Sequence, residues 1–212
     1  MSKPKPALTH QEIAESALII LRDEGPDALS FRRVAEILGT YHVQVFRRCG
    51  GFDGLLDICA DYASAQFPLI PDSVDWVDAT QLRFEAAYGM FVEHASLILL
   101  MRGRPWLGFN ITERFYEPTM RSFLEAGMTT EEASGLFSIL YRLTIGSVVS
   151  LHAHHSSAAK SATSVQSHGG AQYFPSLVKI NSEVDNSDVL EVYRSGLRTL
   201  ISHLAPHVNS AN

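Results

Sequence analysis

Two short helical segments separated by a glycine, within residues 29–57, constrain the fold of this chain more than any other feature. Ser30 stands where a side-chain oxygen can cap the first segment, and Gly39 stands where that segment can end in a left-handed turn. The second segment covers about residues 40–48 and is stopped by two consecutive glycines. Two short helices joined by a tight turn predict a helix-turn-helix, whose second helix enters the major groove of DNA.

Helical periodicity dominates the rest of the chain as well. Thr9 with Glu12, and Thr129 with Glu132, have the spacing of capping boxes, and apolar residues three and four apart follow each of them. No segment alternates apolar and polar residues as a strand does. Small polar residues at 156–170 predict a mobile loop. The sequence therefore predicts an all-α protein, in which a three-helix helix-turn-helix unit precedes a larger helical unit. We expect helices at about residues 9–24, 30–38, 40–48, 52–67, 75–101, 118–127, 129–152 and 187–204.

Charge is distributed unevenly along the chain. The formal net charge is −6, but residues 28–52 hold four arginines against one acid, which suits local contact with phosphates. Cys49 and Cys59 lack metal-ligand spacing and predict a reducing compartment. The N-terminus lacks the apolar core of a signal peptide, and no unbroken apolar run approaches the ~18 residues of a membrane span. We therefore expect a cytoplasmic protein without a membrane partner.

The helix-turn-helix segment resembles the signature of the TetR family of transcription regulators. That signature combines Leu-Thr, two basic residues, an Ala-x-x-Leu-Gly turn, a short recognition helix and a later Leu-Leu pair. The resemblance covers about the first 60 residues. A second segment, Arg104-Pro105-Trp106-Leu107, resembles a recurrent piece of the tetracycline-repressor-like C-terminal class of the family. The residues that match the signature without a gap are Leu29, Ser30, Arg32, Arg33, Ala35, Leu38, Gly39, Leu55 and Leu56.

The resemblance implies a ligand-responsive regulator of transcription. It implies a homodimer that binds double-stranded palindromic operator DNA, acts as a repressor, and is released by a small apolar or aromatic effector. It divides the chain into a helix-turn-helix DNA-binding domain at residues 1–52 and a helical ligand-binding and dimerisation domain at residues 53–212. It implies no cofactor. The motifs GxSxG and HExxH and a glycine-rich phosphate loop are all missing from the sequence, so we expect no enzyme.

The same layout assigns the contacts to DNA. The start of the recognition helix faces base edges, where Gln44 suits adenine and Val43 suits the methyl group of thymine. Hydroxyl groups at helix starts and guanidinium groups suit phosphates. Of Arg32 and Arg33, one is expected to reach the DNA backbone and the other to pair with Glu36. The predicted DNA-binding residues are Ser30, Arg32, Tyr41, His42, Val43, Gln44, Arg47 and Arg48.

Two residues depart from the family pattern. Phe46 stands where the family has a tyrosine whose hydroxyl contacts phosphate, and Phe52 stands where it has a lysine near phosphate. A phenylalanine side chain can make neither contact. These departures leave an alternative open, in which the chain is a small-molecule or protein binding module with a degenerate helix-turn-helix.

The C-terminal region contains candidates for a ligand site and for a dimer interface. Aromatic residues at helical spacing with a few polar groups fit an apolar pocket, and they also fit a plain core. The predicted ligand-binding residues are Phe84, Tyr88, Phe91, His94, Trp106, Phe109, Phe123, Tyr141 and Thr144. Amphipathic helices at 129–152 and 187–204 fit a four-helix bundle between two protomers, and they also fit packing within one chain. The predicted interface residues are Leu136, Leu140, Val148, Tyr193, Leu197, Leu200, Ile201 and Leu204.

Four histidines, His152, His154, His155 and His168, have some of the spacing of a metal cluster. They lack a nearby carboxylate and a cysteine partner. We therefore expect solvated histidines and no metal.

Overall fold

A computed structural model describes residues 8–71, 73–102, 104–106, 108–157 and 189–208, with the backbone alone at 152–157 and 204–208. The described residues contain helices and no strand, so the prediction of an all-α fold is confirmed. The predicted loop at 156–170 lies outside the described residues from residue 158 onward, as does His168. The helices are α1 (His10–Asp23), α2 (Phe31–Leu38), α3 (His42–Cys49), α4 (Phe52–Ser64), α5 (Trp76–Glu93), α6 (Ala95–Met101), α7 (Phe109–Ile111), α8 (Glu117–Glu125), α9 (Thr130–Ser157) and α10 (Val189–Val208).

Helix α1 begins at the predicted capping box. The Thr9 side chain accepts a hydrogen bond from the backbone N–H of Glu12, and the Glu12 carboxylate accepts one from the N–H of Thr9 at 2.8 Å. One face of α1, which includes Ile13, Ala17 and Ile20, is fully buried. This face packs against α4 and α2 and makes the core of the N-terminal unit.

Helices α2 and α3 form the predicted helix-turn-helix. The Ser30 hydroxyl accepts a hydrogen bond from the N–H of Arg33 at 3.1 Å, which confirms Ser30 as the cap of α2. Gly39 ends α2 at φ 59°, and Gly50 ends α3 at φ 74°, both in the left-handed region that favours glycine. Within α3, which is described in full, Val45 is the one buried residue. It attaches α3 to the core while the rest of the helix is turned outward.

The single helix predicted at 75–101 is wrong, because the chain bends by 90° at His94 into α5 and α6. His94 leaves the helical region at φ −111° and ψ 35°, and its carbonyl accepts a hydrogen bond from Leu97 N at 2.9 Å as α6 begins. The apolar spacing continues through the bend, so the pattern alone conceals it. The bend turns Leu97 and Met101 into the core beside α1, α4 and α9.

A continuous run of helical backbone leads from α7 to α8. The turn between them, Thr112–Tyr116, has the wider π-helical hydrogen bonding, and Pro118 lies in the first turn of α8 as the sequence predicts. The second capping box is also confirmed, since Glu132 N donates to the Thr129 hydroxyl and Thr129 N donates to the Glu132 carboxylate. Helix α9 then packs against α5, α6, α8 and α10.

Most of the predicted dimer-interface residues lie on the inward faces of α9 and α10. These side chains pack in the core of the protomer and leave little surface for a partner, and the position of the interface stays a prediction. The apolar pattern predicts that this face is buried, and the structure buries it within the protomer. The structure buries Leu136, Leu140, Val148, Tyr193, Leu197 and Ile201, half-buries Leu200, and does not describe the side chain of Leu204.

One segment within the described residues, Thr130–Leu151 of α9, is long and apolar enough by length and composition to cross a bilayer. The pair α5 and α6 passes the same test if it is counted as one bent segment. The sequence prediction looked for an unbroken apolar run and therefore passed over α9, which contains Arg142. Helix α9 has this apolar composition because its outer face is apolar as well as the face that packs within the protomer.

Candidate nucleic-acid interface and ligand cavity

The outer face of α3 presents the residues predicted to read DNA bases. Tyr41 caps α3 and is 77% exposed, His42 and Gln44 are exposed, and Val43 is 44% exposed. The Thr40 hydroxyl donates to the Gln44 side-chain oxygen at 2.5 Å, which orients the amide of Gln44. The structure thus brings the four predicted base-contacting residues together on one solvent-facing turn.

Basic and hydroxyl groups flank this turn. Arg47 and Arg48 are exposed in the last turn of α3, and the Arg32 side chain is 86% exposed although its Nε lies 3.3 Å from Glu36. Arg33 is held differently, because its guanidinium binds both carboxylate oxygens of Glu24 and also Glu36. The hydrogen bonds that Arg33 donates to Glu24 and Glu36 raise the pKa of Arg33. Arg32 is therefore the arginine of α2 that is available to a phosphate.

The two departures from the family pattern form one aromatic cluster. The ring of Phe31 packs edge to face on Phe46, with centroids 5.3 Å apart, and on Phe52, with centroids 6.3 Å apart. Phe46 remains 49% exposed and Phe52 38% exposed. The phenylalanines therefore join the starts of α2 and α4 to the end of α3, and part of each ring stays on the surface.

A cavity with a volume of about 680 Å³ lies between α6, α9 and the turn that precedes α8. Arg142 and Gly146 are exposed, so the cavity opens along that side of α9. Its walls are aromatic and aliphatic, its charged groups are two guanidiniums, and such a composition suits a drug-sized ligand. The lining residues are Ile98, Met101, Arg104, Pro105, Tyr116, Phe137, Ser138, Tyr141, Arg142, Ile145 and Gly146.

Hydrogen bonds hold the aromatic wall of the cavity in place. The Tyr116 hydroxyl donates to the carbonyl of Trp106 at 2.9 Å, and the Tyr141 hydroxyl accepts from the N–H of Trp106 at 3.4 Å. Burial raises the pKa of both tyrosines, so both stay neutral. The Tyr141 ring also stacks on Phe137 at 5.9 Å. The buried indole Nε1 of Trp106 has no hydrogen-bond partner among the described residues.

Tyr141 is the one predicted ligand-binding residue that lines this cavity within the described residues. Most of the others form the core behind it, where the rings of Phe91 and Trp106 lie 4.9 Å apart and Tyr88 stacks on Tyr193 at 4.5 Å. Thr144 donates to the Leu140 carbonyl at 2.8 Å. The core residues among the predicted set are Phe84, Tyr88, Phe91, Trp106, Phe123 and Thr144.

Phe109 and His94 lie away from this cavity. Phe109 is 72% exposed on α7, beside α4. His94 lines two shallower clefts where α1 and α4 meet the bend between α5 and α6. Burial lowers the pKa of His94, and the opposing effect of nearby Glu93 is smaller.

A row of aspartates connects α4 to the segment that borders the cavity. Asp53, Asp57 and Asp61 are spaced four residues apart and so share one face of α4. Arg104 binds the first two, through Nη1 to Asp53 at 2.7 Å and Nη2 to Asp57 at 2.5 Å. Asp61 accepts from the backbone N–H of Asn110 at 2.8 Å and from its side-chain amide at 3.1 Å.

Among the described residues, no group of three or more histidine, cysteine, aspartate or glutamate side chains could hold a metal ion. The side chains of His152, His154 and His155 and the whole of His168 lie outside the described residues. The expectation for these histidines therefore stays a prediction.

Comparison with known proteins decides the class of regulator. A family model described as the tetracyclin repressor-like, C-terminal domain matches residues 66–207. The chain belongs to the TetR family. This membership places it among the ligand-responsive, DNA-binding transcriptional regulators.

Solved structures of a TetR protein match this TetR regulator over nearly its whole length. Apo ActR from Streptomyces coelicolor superposes with a TM-score of 0.80 and 26% identity, covering 99% of this chain and 100% of ActR. The complex of ActR with actinorhodin superposes with a TM-score of 0.78 and 27% identity, covering 96% and 99%.

A curated relative matches a shorter segment of this TetR regulator. The HTH-type transcriptional repressor DrrR1 from Streptomyces coeruleorubidus is 33% identical over 107 residues, which is 50% of this chain. The match spans only 40% of the length of DrrR1.

Sequence reasoning missed most of the cavity wall of this TetR regulator. Arg104, Tyr116, Phe137 and Arg142 line it, and none was predicted to do so. Arg104 begins the segment that resembles the tetracycline-repressor-like class, and that resemblance was a signal that could have found it. Phe137 and Tyr141 are four residues apart and so share one side of α9, with Arg142 at its edge, but the sequence gives no sign of which α9 face meets a cavity.

Proposed function

We propose that this chain is a cytoplasmic, homodimeric repressor that binds a palindromic operator and is released from it by a small aromatic effector. In this proposal residues 1–52 bind DNA, and residues 53–212 bind the effector and dimerise. The exposed face of α3 carries the DNA-binding part of the proposal, because Tyr41, His42, Val43 and Gln44 all face solvent together there. Ser30, Arg32, Arg47 and Arg48 surround this face and are proposed to contact phosphates.

Exposed apolar faces of α9 and α10 support the homodimer. On α9, Gly135, Ile139 and Val149 lie on the side away from the core, with Ile139 47% and Val149 39% exposed. A Cβ atom at Gly135 would meet open space, so a second helix can approach that part of α9 closely. On α10, Val192 is 59% exposed. Two such helix pairs can bury these faces against each other in a four-helix bundle.

The cavity beside α9 supports an aromatic effector. Its volume of about 680 Å³ falls in the range of small-molecule sites, and Tyr116, Phe137 and Tyr141 form one wall. ActR, whose structure the chain resembles, has been solved in complex with actinorhodin. We propose that an effector in this cavity favours a conformation in which the two α3 helices no longer fit the operator.

The alternative, a binding module with a degenerate helix-turn-helix, rests on Phe46 and Phe52. A fluorescence anisotropy titration against DNA from upstream of this protein's own gene, at two salt concentrations, tests both readings. The repressor should bind as a dimer, should prefer that DNA to a scrambled sequence, and should lose affinity as salt rises. Equal binding to both sequences, or no binding even at low salt, would favour the alternative.

A further inference from the structure

Arg104 belongs to two structural features at once. Its side chain lines the cavity, and its guanidinium binds the carboxylates of Asp53 and Asp57 on α4. It is the one residue on the cavity wall that an ion pair within the described residues ties to α4. A ligand that binds the guanidinium of Arg104 must therefore compete with these two aspartates.

The first turn of α4 lies against the end of the recognition helix, α3. Gly54 lies so near the end of α3 that a Cβ atom there would overlap the carbonyl oxygen of Cys49. Only Gly50 and Gly51 separate the two helices. A shift of the first turn of α4 is therefore bound to displace the end of α3.

The charge of the cavity determines which kind of ligand can compete with Asp53 and Asp57 for Arg104. Arg104 and Arg142 both line it, and no aspartate or glutamate stands among the described lining residues. A planar aromatic acid would place its rings against Tyr116 and Tyr141 and its carboxylate on a guanidinium. The ion pair of Arg104 with Asp53 is a weak competitor, because the Asp53 side chain is 80% exposed and water screens this pair.

We propose that the effector is an aromatic anion, and that Arg104 transmits its arrival by exchanging the carboxylates of Asp53 and Asp57 for that of the ligand. This inference rests on the proposed function and adds the charge of the effector and the residue that couples the cavity to α4. In the free protein Arg104 holds the first turn of α4 beside α6. With the anion bound, Arg104 turns into the cavity, and of its polar contacts with residues 104–110 α4 keeps those between Asp61 and Asn110 near its other end.

Hydrogen–deuterium exchange of residues 52–60, measured on the full chain, tests the proposal without DNA. The probes are anthracene-2-carboxylate and its uncharged analogue, anthracene-2-carboxamide, at millimolar concentration. The variant is Arg104→Gln, and Arg102→Gln is the matched control, since it removes an exposed arginine from the same segment. Asp57→Asn removes the other partner of the ion pair between Arg104 and Asp57. It shows whether a change in exchange depends on this ion pair.

The carboxylate should speed exchange in the first turn of α4 of the wild type by about tenfold, and the carboxamide should not. Arg104→Gln and Asp57→Asn should exchange fast without a probe and show no further change with the carboxylate, while Arg102→Gln should behave as the wild type. Equal effects of the two probes, failure of the carboxylate to bind, or slow exchange in Arg104→Gln would overturn the proposal. Anisotropy with upstream DNA tests the proposed repressor function separately, because wild-type protein that binds no DNA refutes the repressor. The exchange data decide the role of Arg104 in either case.

Discussion

The hydroxyl of Tyr193 donates a hydrogen bond to the backbone carbonyl of Phe84, 2.9 Å away and 109 residues earlier in the chain. The same hydroxyl lies 2.9 Å from the Thr144 hydroxyl, so it joins α10 to both α5 and α9. Tyr193 is thus an internal bridge of the C-terminal unit. Burial raises its pKa, so the hydroxyl keeps its proton over the whole physiological range.

Replacing Tyr193 with phenylalanine should lower the free energy of unfolding by about 1 kcal/mol, since the ring is kept and two buried oxygens lose a partner. Urea unfolding followed by circular dichroism measures the change. Tyr41→Phe, at an exposed position, is the control and should shift stability by less than ~0.5 kcal/mol. An equal effect of the two substitutions would contradict the bridging role of Tyr193.

Stability should fall as pH drops from about 7 to 5, in part because of His94. Burial lowers the pKa of His94 in the folded protein, so the unfolded chain takes up a proton first as pH falls and acid favours unfolding. His94→Gln should flatten this pH dependence, and His10→Gln, at an exposed position, should leave it in place. Unfolding midpoints in urea at several pH values provide the measurement. Identical slopes for the wild type and His94→Gln would refute the assignment.

Val192→Glu should convert the proposed dimer into a monomer, because it places a charge on the exposed apolar part of α10 that is proposed to meet the partner. Sedimentation velocity gives the oligomeric state directly. Leu124→Glu puts the same charge on a leucine of α8 that is 47% exposed and lies outside the proposed interface, and it should leave the dimer intact. A dimer that persists in Val192→Glu would place the interface elsewhere.

Arg47→Gln and Arg48→Gln should each lower the salt dependence of operator binding, reducing the slope of log K against log salt by about 1. Each removes one cation next to the turn that is proposed to face DNA. Anisotropy titrations over a series of salt concentrations measure the slope. Arg121→Gln, on α8, removes a cation far along the chain and should leave the slope unchanged. A slope that stays at the wild-type value in both α3 variants would mean that neither arginine contacts phosphate.

Phe46→Tyr should strengthen operator binding by about tenfold or more, because the new hydroxyl can donate to a phosphate, and hydrogen bonds to charged groups contribute about 1.5–3 kcal/mol. The ring should keep its edge-to-face contact with Phe31, so the unfolding midpoint should stay the same. Operator affinity at fixed salt, with thermal unfolding as the control, tests this. Unchanged affinity would show that the side chain at position 46 does not reach the DNA backbone.

Local signals in the sequence predicted local structure well. The caps at Thr9, Ser30 and Thr129 and the left-handed end of α2 at Gly39 are all confirmed, since each depends on residues within one turn of helix. The bend at His94 has no such signal. It arises from packing of α6 against three other helices, and no glycine or proline marks it.

The sequence predicts where a helix lies more readily than it predicts which face of that helix packs within the same chain. Helix α9 is apolar on two sides, and periodicity does not say which side meets the same chain. Leu140 and Ile139 are neighbours in sequence, yet Leu140 is fully buried and Ile139 is 47% exposed. The cavity was missed for a related reason, because its wall combines α6, α9 and residues 104–105, and their meeting depends on the whole arrangement of helices.

Val45 anchors α3 through a single buried side chain, and this has a consequence for how new operator preferences can arise. The positions proposed to face DNA contribute little to the core, so they can be exchanged with small effects on stability. Substitutions at Tyr41, His42, Val43 and Gln44 are therefore open both to natural drift and to laboratory selection. The scaffold is suited to retargeting toward chosen DNA sequences while its response to effector is kept.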